Sequence, residues 1–133
     1  MEKIILLLAI CSLSLNSMAQ RTFEMQEGDT TYVMKEYFIC FLYRGDKALD
    51  IPEEELESIQ AGHLAHINQL AEEGKIAIAG PMGMDEDLRG IIIFHTENKE
   101  EAEVLQKQDP AIKAGRLRME IYPWWAAQGS KLP

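Results

Sequence analysis

The stretch that decides the fold is Tyr37-Phe38-Ile39-Cys40-Phe41-Leu42-Tyr43, an unbroken aromatic and β-branched run closed by Arg44-Gly45. Such side chains fit a pleated surface, and a continuous apolar run of this length reads as a buried central strand. Large groups occupy both of its faces, so both faces need covering. Upstream, Thr22-Phe23-Glu24-Met25-Gln26 and Thr30-Thr31-Tyr32-Val33-Met34 are short β-prone runs around the turn triplet Glu27-Gly28-Asp29. Residues 20–36 therefore read as an extension, either a small hairpin or a loose arm.

Downstream, Pro52 and Glu53-Glu54-Glu55 open a helix, because a first turn has no use for the proline's missing N–H and its dipole favours acids. The helix runs to Glu73 and stops at Gly74, a residue able to take the left-handed conformation. Lys75 to Ala79 is a second strand, halted by Gly80-Pro81, and Arg89 to His95 is a third, joined through a hairpin loop. Glu97 to Gln108 has the spacing of an amphipathic second helix, closed by Asp109-Pro110 because the residue before proline is pushed away from helical angles. Ala111 to Gly115 reads as a turn. Arg116 to Tyr122 alternates Leu117, Met119 and Ile121 with Arg118, Glu120 and Tyr122, a fourth strand expected to end at Pro123.

The order β-α-β-β-α-β predicts an α+β, ferredoxin-like domain over 37–127: a four-stranded antiparallel sheet with two helices on one face. Residues 128–133 form a C-terminal tail. The other face of the sheet stays open, and a second copy of the chain is its simplest cover, so a homodimer is expected.

Met1-Glu2-Lys3 precedes an apolar run from Ile4 to Leu15, and Ser17-Met18-Ala19 places small residues where a signal peptidase reads them. Residues 1–19 are expected to be a secretory signal peptide. The run is shorter than the ~20 residues a spanning helix needs, so no membrane insertion is expected after cleavage. Roughly 110 residues would remain, enough for one core and one domain. Cys40 would be their only thiol, which excludes an internal disulfide even in the periplasm or outside the cell. A formal net charge of −9 repels phosphate backbones and anionic lipid, which argues against nucleic-acid and membrane-surface roles.

On a helical wheel Leu56, Ile59, Ile67 and Leu70 form an apolar stripe with His63 near its middle and His66 at its edge. A ring held among aliphatic groups needs a partner for its N–H. Two readings fit His63: a core histidine bonded to a backbone carbonyl, or a proton-transfer residue. Asp109, where the second helix ends, is placed to reach that imidazole, although an aspartate before proline is also an ordinary turn former. Gly80, Pro81 and Met82 read as the rim of a pocket or simply as a strand stop. His63, His66, His95 and Cys40 lack CxxC or HExxH spacing, so no metal centre is expected. Cys40 reads as inert filler. Trp124 and Trp125 suit either a ligand cavity or a subunit interface.

Taken together, Tyr37-Phe-Ile-Cys-Phe-Leu42, Ala61-Gly-His63-Leu-Ala-His-Ile67, Ala79-Gly-Pro-Met82, Arg89-Gly-Ile-Ile-Ile-Phe94 and Gln108-Asp109-Pro110 resemble the YciI-like (YCII-related) family over about Tyr37 to Trp125. The resemblance implies a ferredoxin-like fold pairing as a dimeric α+β barrel. It also implies a candidate active site made of a histidine on the first helix and an aspartate before proline, which map onto His63 and Asp109. Dehydrochlorination of a chlorinated aromatic is one activity associated with the family. The expectation is an exported isomerase or lyase using a His–Asp dyad on a small molecule, with no cofactor. The alternative is a non-catalytic ligand-binding or interaction module on the same barrel.

Overall fold

The computed structural model describes residues 21–133, so the expected signal peptide lies outside the described residues. The core strand is longer than its apolar run. It belongs to β2 (Thr30–Arg44), which pairs upstream with β1 (Thr22–Glu27) through a turn at Gly28. The boundary expected between residues 36 and 37 therefore falls inside a continuous strand. The chain goes on through α1 (Glu53–Glu72), β3 (Ile76–Pro81), β4 (Leu88–Phe94), α2 (Lys99–Gln106), the short α3 (Pro110–Lys113) and β5 (Leu117–Ala127). All pairings are antiparallel, and the sheet core runs β5-β2-β4-β3, the ferredoxin-like order. No helix among the described residues is long and apolar enough to cross a membrane.

Two expectations are corrected. Pro123 does not end the last strand, because β5 continues past it to Ala127, with Pro123 opposite Phe38. Among the described residues β5 pairs with β2 alone, and an edge strand tolerates a residue without an N–H. Nor is the segment after Asp109 a plain turn. Pro110 occupies the first position of α3, where no N–H is needed, and the Asp109 side chain caps it by accepting from the Ala111 N–H.

Strand alternation divides β2 cleanly. Phe38, Cys40 and Leu42 face the helices and form the core with Ile76, Ile92, Phe94, Leu70, Ala102 and Ile121. Tyr37, Ile39, Phe41 and Tyr43 share the open face, where Ile78, Tyr122 and Trp124 remain substantially exposed. A bulge at Ala77 shifts the β3 register, so Ile76 points toward the helices before it, and Ala79 and Pro81 do so after it. α1 ends as expected at Gly74, whose φ of +74° lets the Lys75 N–H reach back to the Leu70 carbonyl. Only Leu70 of this helix is fully buried. The rest of its apolar stripe is half-buried, because a cavity separates it from the sheet.

Candidate active site

That cavity has a volume of about 560 Å³, and His63 lines it together with Leu42, Leu56, Ile67, Ile92 and Leu117. This is the size and mostly apolar character of a small-molecule site. α1 brings His63 to its wall, and the short turn between α2 and α3 brings Asp109. The His63 Nδ1 lies 2.6 Å from Asp109 Oδ2. Gly62 permits the approach: a Cβ there would sit 2.9 Å from the Cγ of Pro110, so the helix passes the residue after Asp109 with only hydrogen between them.

Asp109 is completely buried and receives three N–H groups: His63 on Oδ2, Gln106 Nε2 on Oδ2 at 2.9 Å, and the Ala111 backbone on Oδ1 at 2.8 Å. An acceptor-only carboxylate suits a set made wholly of donors. Donation from Nδ1 leaves Nε2 as the second ring nitrogen, on a side chain that is 12% exposed and lines the cavity. An imidazole oriented through one nitrogen can take or give a proton at the other.

Gln106 carried no sequence signal. Its amide orientation follows from the carboxylate it faces, since its oxygen turned that way would repel Asp109. The consequence is that its own Oε1, fully buried, has no partner among the described residues.

The other candidates separate. Gly80 and Pro81 do line the cavity, but Met82 does not. Alternation along β3 sends it to the open face, where it borders a hollow of about 200 Å³ with Ile78 and Leu132. His66 Nε2 donates to the Leu105 carbonyl and ties α1 to α2. His95 accepts from Lys35 Nζ at 2.7 Å, and its pKa is lowered by burial and then by that ammonium. Cys40 is buried, and its thiol is pushed up to about 12, first by desolvation and then by the charge of Asp109. It stays protonated and unreactive. Trp125 packs on Phe23 and Trp124 beside Tyr37, so neither reaches this cavity. Arg44, Arg89 and Arg116 line it as well, although in the sequence all three stand only as residues at strand ends.

A family model for the YCII-related domain matches residues 37–125. No curated protein matches the chain. Among solved structures, it is similar to a 5-chloro-2-hydroxyhydroquinone dehydrochlorinase from Burkholderia phenoliruptrix AC1100 in complex with 2,5-dihydroxybenzoquinone. That similarity has 23% identity and a TM-score of 0.50, and covers 66% of this chain and 92% of that one. At this identity the likeness speaks to the fold. The family match spans most of the chain, including β2 from Tyr37 onward, α1 and α2, Gly62-His63 and Asp109-Pro110, and the chain accordingly belongs to the YCII-related domain family.

Proposed function

We propose that this protein is an enzyme for a small cyclic or unsaturated molecule held in the cavity beside His63. The observation that carries the reading is the 2.6 Å contact between His63 and Asp109 at the wall of a largely apolar cavity. In the proposed step, Nε2 removes a proton from a carbon activated by a neighbouring carbonyl or ring. The freed electron pair forms a double bond. In a β-elimination that bond expels a leaving group such as chloride from the adjacent carbon; in an isomerisation the imidazolium returns the proton elsewhere on the same skeleton. Asp109 holds the ring and stabilises its cationic form, and neither reaction needs a bound cofactor. The structural neighbour, a dehydrochlorinase by name, supports a reaction of this class.

In the same reading the chain is exported, with residues 1–19 as its leader. A second copy covers the open face, where Ile78, Tyr122 and Trp124 are 38%, 49% and 41% exposed. N-terminal sequencing of the secreted form and sedimentation of the purified protein test these two points.

The decisive experiment compares turnover of wild type and His63→Ala on a substrate found by screening chlorinated and unsaturated ring compounds. Positioned acid–base catalysis is worth ~10²–10⁴ in rate, and a loss of that size is expected in a variant with unchanged circular dichroism. Full activity in His63→Ala refutes the proposal. A wild-type protein that binds such compounds and converts none supports the non-catalytic module instead.

A further inference from the structure

The chain has a formal net charge of −9, yet the charged side chains lining the cavity beside His63 are mostly cationic. Arg44, Arg89 and Arg116 line it, against Asp85 as the only lining carboxylate among the described residues. The topology gathers them. Antiparallel pairing sets the end of β2 beside the starts of β4 and β5, with Tyr43 opposite Leu88 and Arg44 opposite Leu117, so three arginines distant in sequence emerge at one edge. Each adjoins a glycine: Gly45, Gly90 or Gly115. Gly45 and Gly115 cross so closely that a Cβ at Gly45 would lie within 2.1 Å of the Gly115 carbonyl oxygen, and the Gly45 N–H donates to the Arg116 carbonyl at 2.8 Å. This crossing fixes the backbone from which Arg116 projects.

The three arginines differ in their partners. Arg44 and Arg89 share a single oxygen of Asp85, at 3.1 and 2.6 Å, and that aspartate is 85% exposed. Arg116 makes no ion pair among the described residues. Its Nη1 donates to the Leu56 carbonyl at 3.3 Å, which holds the guanidinium against the first turn of α1 and leaves other N–H donors of its fork unused. Leu56 lies two helical turns from His63 on the same face of α1, roughly 10 Å along the axis. The cavity thus has a cationic end, an apolar middle and an imidazole end.

We infer that the ligand is a small organic carboxylate, anchored by Arg116 with its apolar body directed toward His63. The guanidinium fork matches a carboxylate with two parallel hydrogen bonds, and the apolar walls favour an organic anion over an inorganic one. Arg44 and Arg89 add positive potential at the mouth, which attracts an anion to a protein whose remaining surface repels it. The inference rests on the reading that this cavity holds the substrate, but it concerns recognition and not proton transfer.

Titration calorimetry with benzoate, its neutral isostere benzamide and inorganic phosphate provides the test. Wild type should bind benzoate at least about tenfold more tightly than either of the others, the scale of one charge-assisted pair. Arg116→Gln should abolish the preference, and Arg116→Lys, which keeps the charge without the fork, should retain part of it. His63→Gln should leave it intact, so failure of the catalytic reading alone would appear as full turnover in the His63 variants, or none in wild type, with anion selectivity preserved. Equal binding of benzoate and benzamide, no binding of benzoate, equal or tighter binding of phosphate, or a preference unchanged in a folded Arg116→Gln overturns the inference.

Discussion

Gly62→Ala isolates what sets the distance between His63 and Asp109. The new methyl would lie 2.9 Å from Cγ and 3.3 Å from Cβ of Pro110, a ring that has no flexible end to swing away. Carbon atoms rest at about 3.5–4.0 Å, so α1 and α3 must separate by roughly 0.6–1 Å. Because Pro110 follows Asp109 directly, the same separation stretches the 2.6 Å contact to or beyond the ~3.2 Å limit of an N–H···O hydrogen bond. Two stability terms oppose each other: alanine gains about 1 kcal/mol over glycine inside a helix, and overpacking costs about 1–3 kcal/mol. The variant should therefore be destabilised by about 0–2 kcal/mol in urea unfolding, and lose turnover by up to ~10²-fold, the usual effect of a 1 Å misplacement. A variant about 1 kcal/mol more stable than wild type, with unchanged turnover, would show that the helix contact at Gly62 does not position the pair.

Gln106→Leu tests the third partner of Asp109. It removes a hydrogen bond to a charged group, worth about 1.5–3 kcal/mol, but it also removes the unpartnered Oε1, which costs about 1–3 kcal/mol. Stability should change little by urea unfolding, and a loss above about 3 kcal/mol would mean that Oε1 has a partner after all. A second prediction concerns acid. Burial, then Lys35 and more weakly Lys75, hold His95 below its ordinary 6.5, although the Gly74 carbonyl opposes them. The unfolded chain then binds the proton first, so this contribution is fully present above about pH 6.5 and is lost as pH falls toward the folded value. Unfolding midpoints should drop in that window, and His95→Gln should flatten the drop. An unchanged slope in His95→Gln would assign it to other groups.

Much of the architecture was legible because periodicity carries it. The run Tyr37–Tyr43 declared a central strand, the stripe on α1 declared the face that holds His63, and Gly74 declared its end. What escaped depends on contacts that no local pattern records. β2 extends back to Thr30 because β1 and the end of β5 pair with it, and the exposed side chains of residues 22–33 hid that continuity. Pro123 looked like a strand stop, since its position on an edge is a property of the whole sheet. Met82 reads, with Gly80-Pro81, as pocket rim or strand stop, whereas alternation turns its side chain to the other face. Of the site, His63 came from the wheel and its pairing with Asp109 chiefly from family resemblance. Gln106 and the three arginines converge only when the strand ends and the α2–α3 turn are assembled. The recurring glycine beside each arginine was the one local hint.

The central claim is that Asp109 fixes His63 with its proton on Nδ1. Nitrogen-15 NMR of the histidine rings reads this directly, because protonated and bare ring nitrogens have widely separated shifts. Wild type at neutral pH should show His63 with a protonated Nδ1 coupled to a strongly hydrogen-bonded proton, and that proton signal should vanish in Asp109→Ala. A His63 protonated on Nε2 alone, or a spectrum indifferent to loss of Asp109, would contradict the account.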